Sequence, residues 1–404
     1  MSIEINVPGS KSIANRVLVI NHLAKTKAVL ENLPDCDDTN FMLKGLKAFS
    51  KKTNAPIKIY TGNAGTTTRF LTALATLSEK KVIINGDKRM QERPIKELTS
   101  ALNKLGAKIT TTKGCPPVEI SPKKPNGGSI SLPGNISSQY LTALLLIAGQ
   151  FEKNTTIKIE QELCSKPYIN VTIKTLESFG IKLKNKKFEQ FEIQGAQQII
   201  PPKKYVIESD ASSASYIGAF AAINPTKNIT LLNIHKNSLQ GDIAFIKHLE
   251  KMGCKVTHPK KGTKIKGPKK LNTLGQIDMN KTPDLVMTFA VLAMFTPGKT
   301  KITNIENLRI KETDRISALE NEIKKFGIIV KTGKDYIEII GDPQHLKEIK
   351  NAKINIKTYN DHRIAMCFGM IRNKFTNLKI QNPNCVKKSY PTFWDDLKKL
   401  ENEL

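Results

Sequence analysis

Apolar and polar positions along the chain repeat with a period of about 74 residues. Four segments share the pattern Leu/Ile-x-x-apolar-Gly-x-x-apolar, and their glycines are separated by 74, 73 and 74 residues. A fixed period of this length is typical of a duplicated structural unit. The glycine predicts a helix end, because glycine readily adopts the left-handed conformation there, and the apolar residues after it predict a strand. The four segments are Leu102–Ile109, Leu176–Leu183, Leu249–Val256 and Ile323–Val330.

A second repeated feature is a polar or glycine-containing turn that leads into a helix that is apolar nearly all round. Such a helix is expected to be buried. Short apolar strands alternate with these helices, which predicts an α/β fold with six units, three in each of two domains. The polar stretch Gln197–Lys204 separates the third unit from the fourth. The six helices begin near Ser12, Thr66, Ser138, Ser213, Asp284 and His362, and examples of the strands are Val82–Asn85, Thr156–Ile159, Ile229–Leu232 and Lys301–Thr303.

The beginnings of these buried helices are predicted to form an anion site. Each helix N-terminus presents unpaired N–H groups and a partial positive charge. If the three helices of a domain are parallel, and the two domains face each other, up to six such ends meet at one cleft. That arrangement suits a highly anionic ligand.

The composition argues against several classes of protein, namely nucleic-acid binding, disulfide-linked, zinc-binding and membrane-spanning proteins. The 404 residues include 64 Lys+Arg and 36 Asp+Glu, a net charge of +28. The lysines are dispersed and lack interleaved aromatic residues, so we expect no nucleic-acid partner, although the positive field would attract small polyanions. The six cysteines form no C-x-x-C pair, so neither a disulfide framework nor a zinc site is predicted. No signal pattern or apolar run of ~18 residues occurs, so we expect a cytoplasmic protein without a membrane span.

Charged and hydroxyl side chains cluster where the predicted helices begin. Taken singly, each has an ordinary structural interpretation, such as a helix cap or a surface charge. In the KETDR segment, Lys311 and Arg315 are like charges four residues apart, which is unfavourable on a helix unless an anion lies between them. The cluster comprises Lys11, Ser12, Arg16, Asn63–Thr66, Arg93, Ser137–Gln139, Ser165–Tyr168, Asp284, Asn307–Arg315, Asp361–Arg363 and Lys388.

These blocks, in this order, resemble the 5-enolpyruvylshikimate-3-phosphate (EPSP) synthase family of enolpyruvyl transferases. The resemblance covers about residues 5 to 395, and the combination of KETDR, NDHR and SSQ is specific. The matching motifs are PGSKSIANR, GNAGTTTRF, ERPI, SSQYLTALL, SKPYI, SDASSASY, PDLVMT, N-x-R-x-KETDR, YNDHRIAMCF and CVKKSYP.

The resemblance implies a two-domain inside-out α/β barrel of six βαβαββ-type units. Residues 1–10 plus 208–404 would form one domain, which carries the phosphoenolpyruvate and acid/base residues. Residues 11–207 would form the other, which carries the shikimate 3-phosphate cradle. The active site would lie in the cleft between the domains.

The resemblance also implies an activity, which is transfer of the enolpyruvyl group of phosphoenolpyruvate to the 5-hydroxyl of shikimate 3-phosphate. Implied contacts with shikimate 3-phosphate are Lys11, Ser12, Arg16, Ser137, Ser138, Gln139, Ser165, Tyr168, Asp284, Asn307 and Lys311. Implied contacts with phosphoenolpyruvate are Lys11, Gly65, Arg93, Gln139, Arg315, Arg363 and Lys388.

Chemical roles follow from the residue types at these positions. Asp284 is the predicted base for the 5-hydroxyl, and Glu312 is the predicted proton donor to the methylene carbon. Lys11 and Lys388 would stabilise the departing phosphate, and His362 is included among the catalytic residues. Because arginine and lysine supply the positive charge, we expect no metal and no cofactor. We also expect a monomer.

Two other functions compete with this interpretation. The related UDP-N-acetylglucosamine enolpyruvyl transferases use a loop cysteine, and Cys115 is the candidate for that role, although its surrounding motif differs. Nucleic-acid binding or RNA-end processing would use the basic charge. The SSQ, SKPY and KETDR motifs favour shikimate 3-phosphate over the first alternative. The acid/base set Asp284, Glu312 and His362 among phosphate-binding residues argues against the second.

Overall fold

Helices and strands alternate along the whole of the chain that the computed structural model describes, residues 2–51 and 55–403. The α/β prediction is confirmed. The polypeptide forms two units. The N-proximal unit is Ser10–Ile207, and the C-proximal unit combines Met1–Gly9 with Glu208–Leu404. The first strand of the chain therefore belongs to the unit that the second half builds. No helix in the described ranges is both long enough and apolar enough to cross a bilayer.

The N-proximal unit contains helices α1 to α6 and strands β2 to β11. Its helices are α1 (Lys11–Leu23), α2 (Asp37–Phe49), α3 (Gly65–Ala75), α4 (Lys96–Lys104), α5 (Ser138–Ala148) and α6 (Lys166–Ser178). Its strands are β2 (Val29–Glu31), β3 (Ile57–Tyr60), β4 (Val82–Asn85), β5 (Lys108–Thr112), β6 (Cys115–Ser121), β7 (Gly128–Pro133), β8 (Thr155–Glu160), β9 (Leu183–Lys186), β10 (Gln190–Ile193) and β11 (Lys204–Val206).

The C-proximal unit contains strand β1, helices α7 to α13 and strands β12 to β20. Its helices are α7 (Ala211–Ile223), α8 (Phe245–Lys251), α9 (Val286–Ala293), α10 (Arg315–Lys324), α11 (Pro343–Glu348), α12 (His362–Gly369) and α13 (Phe393–Asn402). Its strands are β1 (Ser2–Asn6), β12 (Asn228–Leu232), β13 (Lys255–Thr257), β14 (Gly262–Lys266), β15 (Gln276–Asp278), β16 (Gly298–Thr303), β17 (Ile329–Thr332), β18 (Ile337–Gly341), β19 (Lys353–Ile356) and β20 (Asn377–Ile380).

Four sheets share one topology, in which a parallel pair of strands is followed by two antiparallel neighbours. The strand orders are β3-β4-β6-β5, β7-β8-β10-β9, β1-β12-β14-β13 and β15-β16-β18-β17. In each sheet a buried helix connects the parallel strands or leads into the second of them, and a second helix precedes the antiparallel pair. The glycines of the repeated pattern end these second helices, and Gly106, Gly180, Gly253 and Gly327 all have positive φ. The predicted helix ends are therefore confirmed.

Two further sheets hold only a parallel pair of strands, β11-β2 in the N-proximal unit and β19-β20 in the C-proximal unit. Each is combined with two helices, α1 and α2 or α12 and α13, but the closing antiparallel strands are absent from the described residues of both. In the C-proximal unit these elements follow the order β19-α12-β20-α13, whereas in the N-proximal unit the order is α1-β2-α2 and the paired strand β11 comes from the end of the unit, so neither has the full predicted βαβαββ pattern. The glycine pattern already marked this difference, because it occurs four times and not six.

The first helix of each of the six repeats lies in the hydrophobic core of its unit. Helices α1, α3 and α5 contact one another in the N-proximal unit, and α9 contacts α7 and α12 in the C-proximal unit. Every residue of α7 is buried, as is every residue of α9 and α12. Such helices need apolar residues on all sides, which is the sequence feature that predicted their burial.

A second set of glycines allows the closing strands to approach the ends of these core helices. A Cβ at Gly195 would lie 2.6 Å from the carbonyl oxygen of Lys153, just beyond α5. A Cβ at Gly267 would overlap backbone oxygens at the end of α7, and one at Gly341 would overlap the carbonyl oxygens of Ala293 and Thr296. The three glycines are 72 and 74 residues apart, so the close approach is itself repeated.

We predict that Gly341→Ala destabilises the C-proximal unit by about 2–3 kcal/mol, because rigid backbone oxygens occupy the position of the new methyl group. Denaturant unfolding of the purified protein measures the change. Gly149→Ala is the matched control, since its nearest neighbours are 3.6 Å away and its backbone is helical. Equal midpoints for wild type and Gly341→Ala would contradict the prediction.

Candidate functional site

Lys11 is the first residue of α1 and is buried at the N-terminus of that helix. Its Nζ forms an ion pair with Asp38 at 2.9 Å, and Asp38 is itself buried in the first turn of α2. No feature of the sequence marked Asp38, because an acidic residue in the first turn of a helix is usual. The pair orients the ammonium group of Lys11.

Arg16 is a buried guanidinium, 2% exposed, with no carboxylate partner in the described part of the chain. Burial lowers the pKa of Arg16 to about 10. A buried cation without a counter-ion is unfavourable, and a bound anion would offset that desolvation. Its donors reach the carbonyls of Ser12 and Tyr168 and the hydroxyls of Thr142 and Thr172.

Gly65 opens α3 and leaves space for the guanidinium of Arg93. A Cβ at Gly65 would lie 2.6 Å from Nη2 and 2.7 Å from Cζ of Arg93. Nη1 of Arg93 donates to the backbone and side-chain oxygens of Asn63, at 3.2 and 3.1 Å. Helix α4 begins at Lys96, so Arg93 and Pro94 lie just before its first turn.

Ser137, Ser138 and Gln139 form the beginning of α5. Ser137 is the N-cap, and its Oγ accepts from the backbone N–H of Gln139 at 3.3 Å. The side-chain amide of Gln139 donates to Thr66 Oγ1 at 3.1 Å, and its oxygen accepts from Arg69 Nη1 at 3.1 Å. The N-termini of α3 and α5 are thus joined by direct hydrogen bonds.

Ser165 precedes α6 and adopts a left-handed backbone, with φ of 56°. This conformation is uncommon for serine, and residues in such strained conformations are concentrated at ligand sites. Tyr168 lies in the first turn of α6, and its carbonyl accepts from Nη2 of Arg16 at 3.2 Å. Apart from Arg93, which precedes α4, the predicted residues of the N-proximal unit therefore lie at the beginnings of four helices, α1, α3, α5 and α6.

In the C-proximal unit, Arg315 is the centre of a buried cluster. It is 1% exposed and is the first residue of α10. Its Nε donates to Asp361 at 2.8 Å, Nη1 to Asp284 at 3.1 Å and Nη2 to Glu312 at 3.0 Å. Burial alone would lower the pKa of Arg315, but the three carboxylates raise it above its ordinary value.

Arg363 is the second cation of the cluster. Its Nη2 donates to Asp284 at 2.6 Å and its Nη1 donates to Tyr216 Oη at 3.1 Å. Asp284 lies at the turn that leads into α9, so its two oxygens connect α10 and α12 to the beginning of α9. Asp361 caps α12 through the backbone N–H of Arg363, which fixes the position of that arginine.

Glu312, Lys388 and His362 complete the cluster. Lys388 Nζ lies 3.9 Å from Glu312 Oε1, and both side chains are mostly buried. His362 Nδ1 lies 3.6 Å from Asp361 Oδ1. Within the C-proximal unit, the structure therefore brings together Asp284, Glu312, Arg315, His362, Arg363 and Lys388, all of which were selected from the sequence.

Asn307 and Lys311 precede this cluster in the chain. Oδ1 of Asn307 is buried and accepts no hydrogen bond from the described residues. Lys311 has an extended backbone, and α10 begins only at Arg315, with Asp314 as its N-cap. The inference that Lys311 and Arg315 repel each other on one helical turn is therefore wrong.

Comparison with known proteins identifies the family. The sequence model of EPSP synthase (3-phosphoshikimate 1-carboxyvinyltransferase) matches residues 1–397. The chain belongs to the EPSP synthase family. Its relatives include the 3-phosphoshikimate 1-carboxyvinyltransferases of Haemophilus influenzae strain PittEE and of Buchnera aphidicola subsp. Cinara cedri. The first is 42% identical, covering 98% of this chain and 96% of the relative, and the second is 44% identical, covering 97% and 93%.

A solved structure of EPSP synthase from Acinetobacter baumannii has the same fold. The TM-score is 0.79, with 24% sequence identity over 98% of this chain and 96% of that one. The expected EPSP synthase fold is thus confirmed by a structure whose sequence is distant from this one.

This EPSP synthase family member has a further buried carboxylate that the sequence analysis missed. Asp242 lies in a 3₁₀ turn before α8 and accepts a hydrogen bond from Ser212 Oγ. Burial, Asp284 and Asp210 raise the pKa of Asp242 to about 7, against the opposing effects of Ser212 and Arg363. Its QGD motif is not at the beginning of a predicted core helix, so no sequence signal marked it.

We predict that Asp242→Asn changes the pH dependence of stability. The unfolded chain releases this proton near pH 4, whereas the folded chain retains it up to about pH 7. Wild type therefore loses stability relative to the variant as pH rises from 4 to 7, by about 4 kcal/mol in total, and the difference is constant above pH 8. Urea unfolding at several pH values measures the difference. A stability difference between wild type and Asp242→Asn that does not change with pH would contradict the prediction.

Proposed function

We propose that this chain transfers the enolpyruvyl group of phosphoenolpyruvate to the 5-hydroxyl of shikimate 3-phosphate and releases phosphate. Membership of the EPSP synthase family and relatives named for 3-phosphoshikimate carboxyvinyl transfer support this activity. The observation that carries it is the buried cluster around Arg315. It combines two carboxylates suited to proton transfer with three cations suited to phosphate and carboxylate binding.

The N-proximal unit supplies, in this proposal, the cradle for shikimate 3-phosphate. Ser137, Ser138, Gln139 and Ser165 bind the 3-phosphate through hydroxyls, an amide and backbone N–H groups at two helix N-termini, α5 and α6. Arg16 and Ser12 bind anionic oxygens of the same substrate, and Tyr168 lies beside its ring. The desolvated guanidinium of Arg16, which lacks a carboxylate partner, supports its place in this set.

The C-proximal unit supplies the acid and the base. Asp284 accepts the proton of the 5-hydroxyl while Glu312 donates a proton to the methylene carbon of phosphoenolpyruvate. The hydroxyl oxygen bonds to the central carbon and gives a tetrahedral intermediate. In the elimination, Glu312, now ionised, takes a proton back from the new methyl group while phosphate leaves the central carbon with the proton held by Asp284, which restores the double bond and both carboxyl groups. Asn307 and Lys311 hold the ring hydroxyls, and His362 supports the arrangement through its neighbour Asp361.

Phosphoenolpyruvate is bound by cations of both units in this proposal. Arg93 lies against Gly65, and Gln139 is held between Arg69 and Thr66. Arg315, Arg363 and Lys388 contribute from the C-proximal unit, and Lys11 and Lys388 stabilise the phosphate as it leaves. Bringing two anions together is the main physical task, and effective molarities for such positioning reach ~10⁵ M or more.

The alternative substrate, UDP-N-acetylglucosamine, is not favoured by the family match or by the relatives. Cys115 begins β6, and burial raises the pKa of its thiol. A smaller fraction of the thiol is therefore ionised to the reactive thiolate at neutral pH. We further propose that the enzyme works as a cytoplasmic monomer without a nucleic-acid partner. Sedimentation of the purified protein, with and without RNA, tests the oligomeric state and RNA binding.

Phosphate release tests the proposed function directly. Purified protein incubated with both phosphoenolpyruvate and shikimate 3-phosphate should release inorganic phosphate, and either substrate alone should not support release. The product should gain one enolpyruvyl group by mass spectrometry. Release with UDP-N-acetylglucosamine in place of shikimate 3-phosphate, or no release with either acceptor, would refute the proposal.

We predict that Asp284→Asn lowers kcat by about 10²–10⁴-fold, because the amide cannot accept the hydroxyl proton. The Kd for shikimate 3-phosphate, measured calorimetrically, should change much less. Asp314→Asn is the matched control, since Asp314 lies in the KETDR segment but pairs with Arg309 and caps α10. A kcat for Asp284→Asn within threefold of wild type would exclude the assigned base.

We predict that Gly65→Ala raises the KM for phosphoenolpyruvate by about tenfold or more. The added methyl group would lie 2.5 Å from Arg69 Nη1 and 2.6 Å from Arg93 Nη2, so both guanidinium groups must move. The KM for shikimate 3-phosphate should rise less, because Gly65 affects that cradle through Arg69 and Gln139, and steady-state kinetics with each substrate varied in turn separate the two effects. An unchanged KM for phosphoenolpyruvate would show that Gly65 is not beside its binding site.

A further inference from the structure

The turn that carries Asp361 has an unusual backbone. It connects β19 to α12, and both Tyr359 and Asn360 have positive φ, 55° and 56°. This conformation is uncommon for residues other than glycine and is unfavourable for a bulky residue such as tyrosine. Two such residues in succession persist only where surrounding contacts hold them. The turn ends at Asp361, whose carboxylate binds Arg315 and caps α12.

Glu322 provides those contacts. It is 1% exposed on α10, and its two oxygens bind different parts of the turn. Oε2 accepts from the backbone N–H of Lys357 at 2.9 Å, and Oε1 accepts from the hydroxyl of Tyr359 at 2.9 Å. Lys325 Nζ, one helical turn further on, lies 2.6 Å from Oε2 and supplies a counter-charge for the buried carboxylate.

Glu322 and Arg315 belong to the same helix and are seven residues, or two turns, apart. The turn before α12 is therefore attached to α10 at two points, by Glu322 at its start and by Arg315 at Asp361. Seven residues of helix span about 10.5 Å, and a helix of this length is stiff. Movement of the turn away from α10 would change the orientation of Asp361 relative to Arg315 and Arg363.

We propose that Glu322 is a positioning residue, which holds the strained turn Lys357–Asn360 so that Asp361 sets the directions of Arg315 and Arg363 toward phosphoenolpyruvate. The proposal rests on the proposed function for its kinetic consequence. Its structural part, that Glu322 restrains residues 357 to 363, does not depend on which substrates the enzyme uses.

Glu322→Gln is the sharpest test variant, because it keeps the shape and the acceptor for Tyr359 but places an N–H group opposite the N–H of Lys357. Tyr359→Phe removes only the hydroxyl contact. The matched control is Glu320→Gln, on the same helix, whose carboxylate binds Lys324 and Thr332 and not the turn. Thermal unfolding establishes that each variant is folded.

Hydrogen–deuterium exchange gives a readout that does not require activity. In Glu322→Gln, a peptide spanning residues 357–363 should exchange at least about fivefold faster than in wild type, because a protected N–H loses its acceptor. Tyr359→Phe should show the same local change to a smaller extent, and Glu320→Gln should show none. Unchanged exchange in this peptide, or faster exchange spread over the whole unit, would overturn the proposal.

Steady-state kinetics test the functional part. Glu322→Gln should raise the KM for phosphoenolpyruvate by about tenfold, which corresponds to the loss of one hydrogen bond to a charged group. The KM for shikimate 3-phosphate should stay within about twofold of wild type, because the released turn displaces Arg315 and Arg363, which bind phosphoenolpyruvate in the proposal. A lower kcat with both KM values unchanged would indicate that Glu322 is a merely structural residue, and this result would overturn the proposal. Wild-type inactivity would refute the proposed function, and the exchange result would still decide the restraint.

Discussion

The C-proximal unit depends on one buried ion-pair cluster, the guanidinium of Arg315 with Asp284, Glu312 and Asp361. Removing any one of these partners would leave a charge uncompensated in a site from which water is largely excluded, and such losses are severe. The cluster also joins α9, α10 and α12, because its carboxylates come from the turns before these helices. Charge pairing thus fixes the relative positions of the same side chains that the proposed chemistry requires.

The cations of the N-proximal unit have a different kind of surroundings. Arg16 is held by backbone carbonyls and hydroxyls, Arg93 donates to the amide oxygens of Asn63, and Lys11 pairs with the carboxylate of Asp38. The glycine at the beginning of α3 makes room for two guanidinium groups. The guanidinium of Arg16 near the beginning of α1, with neutral partners only among the described residues, is the kind of charge that a phosphate ester would compensate.

Local features explain how much the sequence could predict. The six core helices and the glycines that end four of the second helices were foreseen, because caps, apolar runs and left-handed turns are encoded within a few residues. Partners were not foreseen, since the pairing of Lys11 with Asp38, or of Arg315 with Asp361, depends on which helix beginnings meet in the folded chain. The KETDR segment was misread for the same reason: its composition suits a helix, but the cap at Asp314 delays the helix to Arg315. Asp242 gave no signal because its turn contains no cluster of charges.

The balance of charge around Arg315 has a consequence for selectivity. Three cations, Arg315, Arg363 and Lys388, are matched there by three carboxylates, Asp284, Glu312 and Asp361. An incoming ligand must therefore replace existing hydrogen bonds, since little unused charge is available. Chloride or sulfate, with no proton to exchange and a fixed shape, gains little from such a replacement. Simple salt anions would then compete poorly for this half of the molecule, even though the protein as a whole is strongly cationic.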